Sequence, residues 1–409
     1  MATDSAPFIG RSYHVTNSVL VWGLTARCLL GCERLLLRRG AARAADLFYA
    51  LMLPALCNQA VSVFFTSPSP DLCVGLFGII LAGELIVFLE LAPGDESHFL
   101  LRAIAWIGAA AITVKLSIGG LAIAIVPVAF LCWWWRERQG LPAAGSMLVQ
   151  LALIVAFGVV PWIGSNLITS GCPLYPSKWG ALPVDWTTKL DAVGWIQRPM
   201  MLDVRELFRD PTWFRGALIS LGWSDSAVLD SLAVGIFALV VGVPLRLWRW
   251  WRGKSAGLSP VILVPTLVSF VFCFLNAPMP RYQGTTIWVL PVQLVLLGMG
   301  ETIRGGRWWL RAGAVAFVVW ATAMPFWRGK EVWSEVKQFE IVGRTPVEEV
   351  RLASGLVVTV PKGTPTCLDA SLPCTPEPHP GLRLRRADDL ASGFTIDLSV
   401  ADETPPTGR

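Results

Sequence analysis

Residues 72–92 of this 409-residue chain read LCVGLFGIILAGELIVFLELA, an apolar run interrupted only by Glu84 and Glu90. About 20 apolar residues in a helix cross the hydrocarbon core of a bilayer. The segment therefore predicts one transmembrane helix.

The same composition extends over most of the chain. Hydrophobic residues make up 54% of the sequence and charged residues only 15%, against about a quarter charged in soluble domains. The 20 Trp residues against 4 Tyr fit a membrane interface as well. We predict an all-α integral membrane protein, a bundle of about ten transmembrane helices. The predicted spans are residues 15–32, 44–66, 72–92, 98–114, 117–135, 144–167, 230–248, 258–276, 284–300 and 307–326.

Three regions lie outside this transmembrane domain of residues 15–326. Residues 1–14 form a short external stub. Residues 168–229 are too polar to span and too rich in Trp and Leu for a free linker, so they predict an external module with interfacial amphipathic helices, for instance at 201–208. Residues 327–409 form a small polar C-terminal tail with β-prone runs such as 356–361, and disorder is expected from about residue 400.

The distribution of Lys and Arg predicts the orientation. Thirteen of these residues lie in one set of turns and two, Lys115 and Arg281, in the short alternate turns. Basic turns are normally cytoplasmic, so both chain termini are predicted to be external. The basic set is Arg34, Arg38, Arg39, Arg43, Arg136, Arg138, Arg246, Arg249, Arg252, Lys254, Arg304, Arg307 and Arg311. No signal peptide precedes the first span, which leads us to expect that a preceding span is missing from this chain.

Several functional classes have no support in the sequence. The net charge is +5, but the basic residues lie in short clusters between apolar runs, which argues against nucleic acid as a partner. Nucleotide-binding glycine motifs, a hydrolase nucleophile elbow and a zinc-protease helix are absent. The chain has only three His, too scattered for a histidine metal cluster, so no metal ligands are predicted.

Isolated charges on the predicted outer turns are the first candidate site residues. Asp71 follows two prolines and could bind a divalent ion or a sugar hydroxyl, or it could simply favour a helix N-terminus. Lys115 joins two apolar spans, where an ammonium either snorkels to the surface or meets an anion such as a lipid phosphate. Arg281, beside the stacking ring of Tyr282, is a second outward cation suited to phosphate, or else an interfacial anchor. We predict that Lys115 and Arg281 converge on one anionic site at the outer membrane edge, with Asp71 close by.

Charges within spans and the cysteines allow further predictions. Glu84 must face the bundle interior, where it either makes a structural interhelical hydrogen bond or relays protons in a transporter. Glu90 lies near a span end and is expected to be solvated. Cys367 and Cys374 stand seven positions apart in the predicted external tail, so we predict a disulfide between them.

Several runs together resemble a group of poorly characterised bacterial multi-pass membrane proteins. They are Ser67–Asp71, Thr113–Ser117, Asn166–Pro176, Pro280–Tyr282 and the tail from Pro361 to Arg385 followed by Gly393-Phe394. The group is similar in layout to GT-C glycosyltransferases, which take a sugar from a polyprenyl-phosphate donor.

The resemblance implies an active site on the outer face of a bacterial cytoplasmic membrane. An acid would activate the acceptor and cations would hold the donor phosphate. Lys115 and Arg281 match such cations, Asp71 matches a second external acid, and Asn166 and Tyr282 are further substrate-binding candidates. The first external loop with its acidic motif should precede Gly10, and this sequence does not contain it. The chain is therefore expected to be a glycosyltransferase or its truncated remnant.

Two other functions are compatible with the sequence. A transporter or flippase of lipid-linked sugars would need polar groups along an intramembrane path, for which Glu84 and Glu90 are candidates. A non-catalytic membrane scaffold would bind a partner through its tail. Membrane lipid and a polyprenyl-phosphate-linked sugar are the predicted partners. The sequence names neither the sugar, the acceptor, a cofactor such as a divalent cation, nor the oligomeric state.

Overall fold

A computed structural model describes most of the chain. The described residues are 12–37, 42–61, 70–138, 140–175, 177, 179–184, 210–219, 226–253, 258–276, 280–283, 286–305, 308–328, 346–363, 367, 370–376 and 378–397. The predicted amphipathic helix at 201–208, the N-terminal stub up to residue 11 and the end of the tail after residue 397 lie outside these residues.

The described part of the chain is predominantly helical. Its helices are α1 (Ser12–Leu37), α2 (Ala44–Val61), α3 (Asp71–Glu90), α4 (Asp95–Val114), α5 (Gly119–Glu137), α6 (Leu141–Ser170), α7 (Pro211–Leu218), α8 (Ser226–Phe237), α9 (Val243–Trp251), α10 (Leu263–Asn276), α11 (Pro280–Gln283), α12 (Thr286–Gly305) and α13 (Trp308–Arg328). A π-helical turn, Ala238–Gly242, joins α8 to α9, and 3₁₀ turns at Leu116–Ile118 and Pro260–Ile262 precede α5 and α10.

The helices support the prediction of an all-α membrane protein. Within the described residues, six helical segments are long and apolar enough to cross a membrane, among them Asp71–Glu90 and Val228–Trp251. Ala44–Asn58, Pro260–Asn276 and Trp308–Ala323 are shorter apolar helices. A helix lies at each of the ten predicted spans, while six of them meet the length and composition needed for spanning.

The chain divides into two compact units. The first unit contains residues 1–162 and 194–329, and the second contains 163–193 and 330–409. In the first unit, one buried apolar cluster joins α1, α2, α3, α12 and α13, and another joins α3, α4, α5 and the start of α6. Because α3 contributes to both clusters, it is the central helix of this unit.

We name the two ends of the first unit after the ends of α3. At the Asp71 end α3 begins, and Lys115 after α4 contacts Asp71. At the Glu90 end α3 finishes, and Ala44 at the start of α2 and Arg304 in the last turn of α12 contact Glu90. Successive long helices thus run in alternate directions, as in a multi-pass membrane bundle.

The tail of the second unit contains two antiparallel strand pairs. β1 (Val347–Arg351) pairs with β2 (Val357–Pro361), and β3 (Leu382–Leu384) pairs with β4 (Phe394–Ile396). The predicted β-prone run at 356–361 corresponds to β2.

Candidate functional site

The Asp71 end of the first unit brings two of the predicted site residues together. The Lys115 Nζ donates a hydrogen bond to Oδ1 of Asp71, and the two side chains form an ion pair. Both are largely sheltered, with 23% and 13% of their side chains exposed. The acid and the cation are therefore held in contact although they come from different helices.

Helix termini explain why these two charges stand where they do. Asp71 is the first residue of α3, where a carboxylate interacts favourably with the positive end of the helix dipole. Lys115 directly follows the last residue of α4, where a cation is favoured for the opposite reason. Its extended backbone, with φ −161° and ψ 132°, turns the chain into the 3₁₀ turn before α5.

Helix α10 also reaches the chain segment that carries Lys115. The Cys273 thiol donates to the carbonyl oxygen of Ser117 at 3.3 Å. On the same helix pair, a Cβ atom added to Gly120 would lie 3.0 Å from the Phe272 ring, so α5 and α10 pack closely here. The last turn of α10 therefore belongs to the Asp71 end.

The other two candidates of this end lie on α11, between α10 and α12. Arg281 and Tyr282 occupy this one-turn helix, which packs against both neighbours. Their side chains lie outside the described residues. Whether Arg281 converges with Lys115 and Asp71 on one anion therefore stays a prediction.

Gln283, the residue after Tyr282, has a polar group that sequence reasoning missed. Its side chain is 2% exposed, and its Nε2 has no hydrogen-bond partner among the described residues. Thr286 Oγ1 donates to the backbone carbonyl oxygen of Gln283 at 2.7 Å and to its side-chain Oε1 at 3.3 Å. A buried amide donor without an acceptor is unusual, and an oxygen-rich ligand such as a sugar or phosphate would satisfy it. Its place directly after Arg281-Tyr282 was the available sequence signal.

Asn166 belongs to the second unit and has a local structural partner. Its Nδ2 donates to the carbonyl oxygen of Pro173 at 3.2 Å, while its own carbonyl accepts from Ser170 Oγ at 2.8 Å. These bonds fasten the turn after α6. The structure therefore gives Asn166 a role in shaping this turn, and a substrate contact stays a prediction.

The tail holds a disulfide between Cys367 and Cys374. The chain around the second cysteine is bound to β2, because Thr359 N–H donates to the Pro373 carbonyl at 2.8 Å and Thr375 N–H donates to the Thr359 carbonyl at 3.0 Å. The bridge thus anchors a loop to the strand pair of the second unit.

Glu84 has a structural hydrogen bond within the bundle. The buried Tyr49 hydroxyl on α2 donates to Glu84 Oε1 at 2.9 Å, and the Arg27 guanidinium of α1 lies 4.7 Å from the centroid of the Tyr49 ring. A Cβ atom on Gly83 would overlap the Tyr49 hydroxyl, so the small residue permits this approach. Three helices therefore share one polar contact in the middle of the apolar bundle.

Glu90 is mostly buried, and the expectation that it is solvated was wrong. Its side chain is 19% exposed. The two carboxylate oxygens accept from the N–H groups of Ala44 at 2.6 Å and Ala45 at 3.0 Å, so Glu90 caps the N-terminus of α2 from another helix. Arg304 Nη1 lies 3.2 Å from Glu90 Oε1 and completes the pairing.

A cavity of about 620 Å³ opens beside this pair at the Glu90 end. Its charged lining residues are Glu90, Arg136, Glu301 and Arg304. Arg136 is held by the carbonyl oxygens of Phe88 and Leu91, at the end of α3. Among the described residues, no group of three or more His, Cys, Asp or Glu could hold a metal ion.

Comparison with known protein families identifies one match. A family model described as a domain of unknown function, DUF8201, matches residues 2–288. The chain belongs to this family. The match includes Asp71, Lys115, Arg281 and Gln283 at the Asp71 end. Of the residues that line the cavity, it leaves out only Glu301 and Arg304 on α12. No curated protein and no solved structure matches the DUF8201 chain.

Proposed function

We propose that this DUF8201 protein is a membrane glycosyltransferase of GT-C type that takes a sugar from a polyprenyl-phosphate donor on the outer face of a bacterial cytoplasmic membrane. The observation that carries the proposal is the contact between Lys115 and Asp71. It supplies, at one end of an apolar bundle, a cation for a phosphate and an acid for a hydroxyl group.

The reaction requires both charges at the same place. The acceptor hydroxyl oxygen bonds to the anomeric carbon of the donor sugar, and the bond from that carbon to the phosphate oxygen breaks. Asp71 takes the hydroxyl proton, acting as general base. Lys115 compensates the negative charge that develops on the departing polyprenyl phosphate, with Arg281 as the proposed second cation. The orphaned amide of Gln283 is the proposed donor to a sugar or phosphate oxygen.

A direct ion pair between Asp71 and Lys115 is compatible with these roles. A cation and an acid that lie in a bilayer without a partner are each costly, on the order of 3 kcal/mol on insertion scales. Mutual pairing offsets that cost while no donor is bound. An arriving phosphate then shares the ammonium, which leaves the Asp71 carboxylate beside the sugar.

The transporter alternative has weaker support. The carboxylate of Glu84 is engaged by Tyr49, and Glu90 caps α2, so both acids have structural roles in the described part of the chain. A scaffold role has no specific feature in its favour among the residues that the structure describes. We therefore place glycosyl transfer ahead of both.

Binding and turnover of a polyprenyl-phosphate sugar test the proposal. We expect Lys115→Ala to bind polyprenyl phosphate about tenfold more weakly, since a hydrogen bond to a charged group is lost. Arg281→Ala should weaken binding in the same direction. Asp71→Asn should retain binding but lose release of polyprenyl phosphate. Arg249→Ala removes a cation at the Glu90 end and serves as the matched control.

Two outcomes would overturn the proposal. One is equal binding by wild type, Lys115→Ala, Arg281→Ala and Arg249→Ala. The other is translocation of an intact lipid-linked sugar in vesicles without any release of polyprenyl phosphate, which would establish the flippase alternative.

A further inference from the structure

The cavity at the Glu90 end has both charged and apolar lining residues. We call the charged set, Glu90 of α3, Arg136 of α5, and Glu301 and Arg304 of α12, the polar base. We call the apolar side chains from α5 and α10, including Leu131 and Val264, the apolar wall. This division suits a ligand with a charged head and a hydrocarbon body.

The polar base carries an excess of positive charge. Two carboxylates, Glu90 and Glu301, face Arg136 and Arg304 in the lining. A third guanidinium lies next to the lining, because Arg246 Nη2 donates to the carbonyl of the lining residue Leu258 at 3.1 Å. Three guanidiniums against two carboxylates leave a net positive site, which favours an anion.

Arg304 has one N–H group that could donate a hydrogen bond to such an anion. Its Nη1 contacts Glu90 and the Ala42 carbonyl, and its Nη2 contacts Glu301. Its Nε is buried and has no partner among the described residues. Arg is suited to planar, bidentate recognition of phosphate, so a phosphate oxygen could accept from this group after a small side-chain movement.

The apolar wall reaches the lipid-facing surface. Leu131 of α5 is 54% exposed, Val264 of α10 is 43% exposed, and Trp135 at the same end of α5 is 85% exposed. All three line the cavity. In a multi-pass bundle such side chains face lipid, so the cavity is accessible from the bilayer.

We propose that this cavity binds the phosphate headgroup of an acyl-chain membrane lipid, which enters laterally between α5 and α10. The phosphate lies against Arg304 and Arg136, and an acyl chain lies along Leu131 and Val264. The site is at the opposite end of α3 from the Asp71–Lys115 pair, so it is separate from the proposed donor site. The bound lipid would anchor the place where α2, α3 and α12 meet to the membrane leaflet at the Glu90 end.

Native mass spectrometry of the full chain in detergent tests this proposal. The probes are dioctanoyl phosphatidate, dioctanoylglycerol, which lacks the phosphate, and inorganic phosphate. We expect phosphatidate to bind at least about tenfold more tightly than dioctanoylglycerol, since hydrogen bonds between Arg and phosphate are charge-assisted. Inorganic phosphate should not displace the lipid at equal concentration. Equal binding of the two lipids, or displacement by free phosphate, would overturn the proposal.

Matched substitutions on α10 locate the site. Val264→Trp fills the cavity wall and should weaken phosphatidate binding about tenfold. Val271→Trp changes the same residue type on the same helix at a position that is 52% exposed and outside the lining, so it should bind like wild type. If Val264→Trp does not fold, Leu131→Trp fills the same apolar wall from α5. Binding unchanged in the folded cavity variant would rule out this site.

Discussion

The carboxylate of Glu90 accepts the backbone N–H of Ala44 at 2.6 Å, so the last residue of α3 caps the first residue of α2. The four N–H groups at a helix start have no partner within the helix. In most helices the cap is a side chain just before the helix. Here the cap comes from a residue 46 positions later, which makes it a tertiary contact.

Removal of this cap should destabilise the bundle. Glu90→Ala leaves the N–H groups of Ala44 and Ala45 without their acceptor and removes one of the partners of Arg304, which we expect to lower the free energy of unfolding by about 2 kcal/mol. Glu301→Ala is the control, because Glu301 also pairs with Arg304 but is 33% exposed. It should cost less than about 1 kcal/mol. Thermal unfolding in detergent measures both, and an equal loss in the two variants would contradict the capping role.

A second prediction concerns the crossing of α12 with the π-helical turn. A Cβ atom on Gly298 would overlap the Cα of Gly242, so the two backbones touch. Gly298→Ala should therefore destabilise the protein by about 1–3 kcal/mol. Gly300→Ala is the matched control, since its Cβ would meet only side-chain atoms at 3.7 Å or more. Indistinguishable unfolding temperatures for the two variants would show that the crossing is loose.

The hydrogen bond between Tyr49 and Glu84 gives a third prediction. Tyr49→Phe removes the donor and leaves a carboxylate in the apolar bundle, which should cost about 1–3 kcal/mol of stability. Tyr175→Phe, at a tyrosine that is 39% exposed, should have little effect. Unfolding measurements decide this, and a Tyr49→Phe variant as stable as wild type would reopen the proton-relay interpretation of Glu84.

The disulfide supports a fourth prediction. Closing the seven-residue separation between Cys367 and Cys374 should stabilise the tail modestly, by about 2 kcal/mol. Alkylation of the denatured, unreduced protein followed by peptide mass spectrometry should leave these two cysteines unmodified and label Cys172, which is free. Alkylation of both Cys367 and Cys374 would refute the bridge in the purified protein.

Composition and hydropathy predicted the helices well, since each of the ten predicted spans corresponds to a helix. The span at 72–92, for example, is Asp71–Glu90 in the structure. Apolar length is a local property, so a window along the chain detects it. The predicted span at 230–248 corresponds to the helical segment Val228–Trp251, but the π-helical turn at Ala238–Gly242 within it was not predicted. That turn lies where Gly298 of α12 contacts Gly242. A contact between segments so far apart in the chain leaves no local pattern in the sequence.

The candidate site could be predicted only in part for a related reason. The isolated charges on outer turns predicted that Asp71 lies near Lys115, but a direct ion pair between them depends on which helices are neighbours. The burial of Glu90 was missed because a carboxylate near a span end has the same sequence signature whether it is solvated or caps a distant helix. The buried amide of Gln283 was missed because a neutral residue contributes nothing to a search based on charge.

The last prediction is the orientation of the bundle. Among the described residues, Arg34, Arg136, Arg246, Arg249 and Arg304, all from the predicted cytoplasmic turns, make protein contacts at the Glu90 end. A Lys/Arg excess normally stays on the cytoplasmic side, so the Glu90 end is predicted to be cytoplasmic. A reporter that is active only outside the cytoplasm should therefore give signal when fused after Arg409. The same reporter fused after Gly253, in the turn that follows α9, should be silent. Signal from the second fusion and none from the first would invert the bundle and place the Asp71–Lys115 pair on the cytoplasmic side, where the proposed outer-face reaction could not occur.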